Sequence, residues 1–447
     1  MTKTAFNSVL SENTFLRYFS FVALYFAQGV PYGLLYFGIP AWMAANGKTP
    51  GEIATFAVVV GLPASFKFFV APLIDRYTYL AMGRRRPWVI FGQIGLVASC
   101  IFMALVPDPL NNLNQLMLAG FVITCFVSIQ DVATDGLAVD IIPMTQQPRA
   151  NGLMWGSMII AVSSSLAVGT WLLNTYGFTA AMLMPAAVIC LIMCIPLFLR
   201  ERKGEKIMPW SSGVASPETQ KLQLSNWSVI FKSLYSVLSL RNSLLMILLI
   251  FISFGAFKYI GTLLPIFTVK ELGWTNGEYS QYASTALLIG GICGMLFGGI
   301  LIEKFGRKRM LDSYFLGLLV ITAVFAFSTS NWGNKNFIYA YMLAQYVLYT
   351  FATIGIYSLA MQCCWKKVSA SQFAFYMGIA NFGQVSLAAL IGPLKEIFSW
   401  EITLFVFAFM IVLAWLLLQF LNMEKQVTSV AGLEKGDLQK QTEFISI

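Results

Sequence analysis

The chain has 447 residues, 58% of them hydrophobic and only 11% charged, with a mean hydropathy of +0.72. That balance excludes a soluble globular protein and a disordered chain, and it indicates a polytopic membrane protein. The formal charge of +9 does not point to nucleic acid, because the basic residues cluster in short loops between apolar runs.

In chain order, the first apolar run covers 15–43, too long for a signal-peptide core, and reads as an uncleaved first span. It contains Gln28-Gly29-Val30-Pro31-Tyr32-Gly33, where proline predicts a kink that frees backbone groups for a ligand or for bending. The second run, 51–74, carries Lys67 inside it. After 88–106 comes 114–142, which holds three carboxylates in a stretch long enough to cross a bilayer. An Asp near the bilayer centre costs about 2.5–3.5 kcal/mol by insertion scales, so such a helix faces water, a cation or a solute rather than lipid. Asp131 and Asp135 share one helix face, about 6 Å apart along the axis. Asp140 falls on the opposite face. One face is expected to carry a polar pathway and the other a structural ion pair. Lys67 and Asp135 lie at similar depth, so the geometry admits a pair between them, and the structural alternative to a functional role is that both Asp131 and Asp135 pair with Lys67 and its neighbours on the second span.

Runs 150–174 and 180–199 complete a first set of six. A polar break, 200–242, follows, opening on Arg200-Glu201-Arg202-Lys203-Gly204-Glu205-Lys206. The second set is 243–270, 279–302, 310–329, 336–363, 371–395 and 400–422. Lys258 is the one lysine or arginine in the interior of these spans, and a cation there calls for a carboxylate or an anionic solute. Gly290-Gly291, Gly294 and Gly298-Gly299 predict close helix contact. Gln28, Gln130, Gln345, Tyr349 and Gln384 are neutral polar residues in spans and are candidates to bind a solute. The expected organisation is a bundle over 1–199, a linker over 200–242, a bundle over 243–422 and a loose polar tail over 423–447.

Lysine and arginine settle the expected orientation. Of 29, only Lys48, Lys270, Lys335 and Lys395 fall in loops on one side, and Lys67 and Lys258 lie inside spans. All the others lie with the termini, which places both termini in the cytoplasm. The seven cysteines are scattered without metal-ligand spacing, and there is no histidine. Histidine-based zinc sites, Ser-His-Asp triads and histidine proton relays are therefore excluded. No metal, cofactor, Walker signature or catalytic cluster is expected.

The two halves repeat one another. Asp75-Arg76-Tyr77 and then Gly83-Arg84-Arg85-Arg86 follow the second span, with Thr78–Met82 inserted between them. Glu303-Lys304-Phe305-Gly306-Arg307-Lys308 follows the second span of the other half. This paired loop resembles the G-x-x-x-D-R-x-G-R-R signature of the major facilitator superfamily. Phe66-Lys67-Phe68, Ala71 through Tyr77, Gly83 through Trp88, and Ser128 through Pro143 are most similar to AmpG-type muropeptide permeases. Asp135-Gly136-Leu137-Ala138-Val139-Asp140 departs from the D-A-W-K-T-D of that group. Siderophore importers and acetyl-CoA transporters share the Asp-Val-Ala-Thr-Asp-Gly wording.

The resemblance implies an all-α membrane protein with twelve transmembrane helices in two six-helix bundles that alternate access to a central site. It implies a secondary transporter of the bacterial cytoplasmic (inner) membrane that imports a polar anionic solute such as a muropeptide with protons. A siderophore or acetyl-CoA carrier is the alternative, and a membrane-embedded transferase the rival of another class. Asp131 and Asp135 are the expected proton-coupling residues. Asp75, Arg76, Arg84, Arg85, Asp140, Lys67, Glu303 and Arg307 are the expected gate, with Arg86 a bystander. The expected partners are the lipid bilayer, a small-molecule solute and protons. Nucleic acid is not among them, and the chain is expected to work as a monomer.

Overall fold

Runs of about twenty apolar residues leave the backbone no partner in a bilayer except itself, so they close into helices. The computed structural model describes residues 9–48, 50–223, 226–274 and 276–445. Twelve helices among them are long and apolar enough to cross a membrane. The first six are Thr14–Met43, Thr55–Arg76, Arg86–Ala104, Leu113–Ile141, Gln147–Tyr176 and Phe178–Phe198. The second six are Arg241–Lys270, Gln281–Phe305, Arg307–Phe327, Lys335–Cys363, Lys366–Ile397 and Trp400–Phe420. An even number of crossings returns the termini to one side. No β-strand forms among the described residues beyond an isolated bridge between Val9 and Arg200.

Local sequence shapes several of these helices. Asn13 caps the first span by accepting from the Leu16 N–H at 3.1 Å. Pro31 sits within it, and the chain continues through a π-helical turn at Leu34–Gly38. Gly29 and Gly33 face Met158–Ser165 of the fifth span so closely that a methyl group at either would meet backbone or side chain within 3 Å. The Gln28–Gly33 motif therefore serves close packing. Gly290, Gly294 and Gly298 do the same against Tyr346, Thr350 and Ile354. The second span breaks at Phe66, and Lys67 opens its continuation, Lys67–Arg76.

The chain forms two compact units. The first takes the chain up to Pro143, then Leu153–Trp227 and Ser369–Ala374. The second takes Met144–Gly152, Ser228–Val368 and the chain from Phe375 onward. The boundaries differ from the expected 199 and 243 for a physical reason. The start of the eleventh span is hydrogen-bonded to charges of the first unit, and the linker as far as Trp227 folds on that unit. The tail is not loose from its outset: Met423 begins a helix, and Gln426, fully buried, donates to Ser243 Oγ and the Cys363 carbonyl, each at 3.1 Å.

Candidate functional site

Three groups of polar residues stand out, each within one unit. The first joins the second and fourth spans of the first unit. Lys67 Nζ donates to Asp131 Oδ2 at 2.7 Å. One turn further along, the Tyr25 hydroxyl donates to Asp135. Lys67 thus pairs with Asp131 rather than with Asp135, the acid matched to it by depth, and Asp135, 5% exposed as a residue, is the more enclosed of the two. The fourth span sets both acids on one stripe by its 3.6-residue period. An ion pair held among apolar helices is costly unless well matched. It persists here because each charged end has a partner. Tyr32 and Tyr36, stacked at 5.1 Å, extend the same polar stripe of the first span.

The second group is a buried lattice at the end of the second span and the start of the third. Asp75, Arg84 and Arg85 are fully buried and Asp140 nearly so. Arg84 reaches Asp75 at 3.1 Å and Asp140 at 3.3 Å. Arg85 reaches the same two acids at 2.5 and 3.1 Å. Two positive and two negative charges thus cancel. The remaining oxygens are taken by the eleventh span. Ser369 Oγ donates to Asp140 at 2.6 Å and accepts from Arg85 at 2.9 Å. The Ser371 N–H and hydroxyl both donate to Asp75, at 2.9 and 2.6 Å. Burial and the neighbouring Arg85 charge lower the proton affinity of Arg84. Burial acts the same way on Arg85, but Asp75 and Asp140 outweigh it and hold that guanidinium above the ordinary arginine value. Arg76 is half-buried, its guanidinium 5.5 Å from the Tyr77 ring.

Arg86 lies outside this lattice. It is buried, and its guanidinium donates to the carbonyls of Pro196, Leu197, Lys206 and Ile207. It thereby closes the end of the sixth span, where helix carbonyls lack partners. In the second unit the echo of the loop is looser. Arg149 pairs with Glu303 at 2.6 Å while 45% exposed. Arg307 donates to Ser358 at 2.7 Å, Gln362 at 2.9 Å and the Met144 carbonyl.

The third group is a cavity of about 200 Å³ in the second unit, lined by Phe257, Lys258, Gln345, Tyr346, Tyr349 and Gln384 among others. Lys258 is exposed and makes no ion pair among the described residues. Tyr349 stands edge-on to Phe257 at 5.0 Å. The Gln345 side-chain oxygen is buried without a hydrogen-bond partner. Gln345, Tyr349, Gln384 and Lys258 thus come together as one group in the second unit, while Gln28 and Gln130 belong to the first unit. Gln130 is buried against Gly92 and donates to the Leu24 carbonyl at 3.1 Å, and Gln28 is equally buried.

Sequence reasoning missed Tyr25, Ser369, Ser371 and Glu201. The serines carry a faint signal, two hydroxyls just after Lys366-Lys367 at a helix start. Nothing in the sequence marks Tyr25 or Glu201.

A profile of the Major Facilitator Superfamily matches residues 21–393. The Anhydromuropeptide permease of Escherichia coli (strain K12) is 25% identical over 390 residues, covering 84% of this chain and 74% of that protein. Among solved structures, the Major Facilitator Superfamily transporter FucP in the outward conformation superposes with a TM-score of 0.67 at 14% identity, covering 91% of this chain and 98% of that one. A bacterial homologue of the iron transporter ferroportin gives 0.65 at 13% identity, covering 92% and 99%. At such identities these two likenesses speak to the fold alone.

Proposed function

The chain belongs to the major facilitator superfamily and is an AmpG-like, multi-pass membrane transporter, and from that premise we propose that it imports a polar anionic solute together with protons. The solute is a muropeptide or a chemical relative of one, and the membrane is the bacterial cytoplasmic membrane with both termini inside. The direction of the lysine and arginine bias supports that orientation. The muropeptide assignment draws on the relative named Anhydromuropeptide permease. No catalytic step is assigned to any residue.

One observation carries the proton coupling: Lys67 and Asp131 pair at 2.7 Å within the spans, with Asp135 one turn away. A proton arriving at Asp131 cancels its charge and releases Lys67, and a proton leaving restores the pair. This gives a two-state element inside the membrane without histidine. The lattice of Asp75, Asp140, Arg84 and Arg85 serves as the latch of the inner gate. Purified protein in proteoliposomes, offered anhydromuropeptide under an inward proton gradient, tests the proposal. Asp131→Asn is expected to abolish uphill uptake and to spare downhill exchange. Wild-type uphill uptake in that variant, still collapsed by a protonophore, removes Asp131 from the coupling. Absence of uptake by the wild-type chain removes muropeptide as the solute.

A further inference from the structure

The start of the third span is closed by a residue from far along the chain. Glu201 is fully buried. Its carboxylate accepts the backbone N–H of Arg84 at 3.0 Å, of Arg85 at 2.7 Å and of Arg86. These N–H groups open the helix Arg86–Ala104, where donors have no intrahelical acceptor and the backbone dipoles favour negative charge. The backbone of Glu201 is held in turn, its carbonyl accepting from the Ser11 N–H at 3.1 Å.

Gly83 makes the approach possible. Its φ of +108° lies where side chains are strained, and a methyl group there would stand 2.6 Å from the Glu201 carboxyl carbon. The repeated loop of the other half supplies an internal contrast. Gly306 shares the positive φ, +89°, but a methyl group there would meet nothing within 4 Å. Its neighbour Arg307 is held by Ser358 and Gln362 instead. The clasp thus belongs to the first half alone and comes from the linker.

Its consequence lies in the side chains of the clasped residues. Arg84 and Arg85 are consecutive, and a regular helix would point them about 100° apart. Both nevertheless reach Asp75 and Asp140. Arg84 precedes the helix and Arg85 is its N-cap residue, so the helix ladder does not fix their backbone, and the three N–H groups on one carboxylate hold it. We propose that Glu201 is a positioning residue of the transport cycle, setting through the backbone the two buried arginines that bridge Asp75 and Asp140. The inference rests on reading that lattice as the latch of a gate.

Glu201→Gln keeps the side-chain shape and removes the charge. Hydrogen–deuterium exchange on the full chain in nanodiscs reads the contact without any solute. The amides of Arg84, Arg85 and Arg86 are expected to exchange about tenfold faster, the scale of a lost charge-assisted hydrogen bond. The Ser371 amide, which bonds Asp75 and does not touch Glu201, is expected to follow, with the other spans unchanged. Uptake in proteoliposomes is expected to lose about tenfold in Vmax at constant KM. Gly83→Ala is expected to match this pattern, and the double variant to be no worse than either single one, because both remove one contact. Faster exchange confined to Arg84–Arg86 with Ser371 and Vmax unchanged makes Glu201 a helix cap only and overturns the inference. Faster exchange throughout, with a lower melting temperature, does so as well. Failure of the wild type to carry anhydromuropeptide strikes the proposed solute, and the exchange data still decide the clasp.

Discussion

Lys258 shows how one residue limits what the cavity accepts. An ammonium in an aromatic-walled cavity, with no carboxylate partner among the described residues, is costly unless an anion completes it. Gln345 and Gln384 add neutral polar groups to the same wall. The expected solute therefore presents a negative group to Lys258, with polar atoms toward the glutamines. Lys258→Gln is expected to weaken binding of an anionic solute by about ten- to a hundredfold, the range of a hydrogen bond to a charged group. A neutralised analogue should be affected little. Titration of both ligands on wild type and variant checks this, and an equal loss for both makes Lys258 structural. The charge itself was readable from sequence, because a lone lysine in a long apolar run has few explanations. The partner of Lys67 was not. Whether Asp131 or Asp135 takes Lys67 depends on one helical turn, about 5.4 Å, and counting residues from uncertain helix ends does not resolve one turn.

The linker shows the same limit for an element. The run from Arg200 to Lys206 has the composition of a solvated charged loop, yet Glu201, Arg202 and Glu205 are buried. Arg202 donates to Glu218 at 3.0 Å and Thr219 at 3.1 Å, and its N–H donates to Glu205 at 2.9 Å. Charge runs usually stay in water, so sequence alone favours the wrong environment. These contacts of Arg202 are local, but those that bury Glu201 come from residues more than a hundred positions away, as does the bond of Arg86 to Lys206. The spans, by contrast, are legible because hydropathy is a local property, and each helix satisfies its own backbone. Burial, and then the neighbouring Glu201 charge, push the Glu205 carboxyl up to about 7 from an ordinary 4.5. Arg86, Arg200, Glu201 and Arg202 are the charged groups that act on this cluster. Because the value is raised on docking, the docked linker binds more protons than the free one between those limits. Its stability is full below about 4.5 and declines as pH rises toward about 7. Amide exchange across residues 202–219, corrected for intrinsic rate, is expected to be faster at about pH 8 than at about pH 5. Glu205→Gln should flatten that dependence, and a dependence that survives the substitution assigns it to another group.

Across the whole molecule, the duplicated loop was the strongest signal in the sequence, and the two copies have diverged. In the first half, Asp75 and Asp140 face Arg84 and Arg85 with all four side chains buried. In the second unit, Glu303 of the repeated loop pairs with Arg149 of the fifth span, and water reaches that pair. A buried charge set is far more sensitive to loss of one member than an exposed pair. The first lattice is therefore the side on which a single substitution should move the transport cycle. Asp75→Ala leaves Arg84 and Arg85 with one carboxylate between them and frees the Ser371 N–H and hydroxyl. Removing one partner of a buried pair costs about 3–5 kcal/mol. If the lattice forms in one state of the carrier and opens in the other, that cost shifts their ratio by about a hundredfold or more. Asp75→Asn keeps the volume and a hydrogen-bond acceptor while losing the charge, and it guards against misfolding of the alanine variant. A cysteine reporter at Gln384, in a chain whose own cysteines are replaced by serine, is then probed with a membrane-impermeant maleimide from each side. Both Asp75 variants are expected to raise labelling from the side of the termini and to lower it from the opposite side. Glu303→Gln, on the exposed pair, is expected to change either rate by less than about threefold. Labelling that stays at wild-type rates from both sides in the Asp75 variants means that the lattice holds the bundle together in every state, and the latch is then rejected.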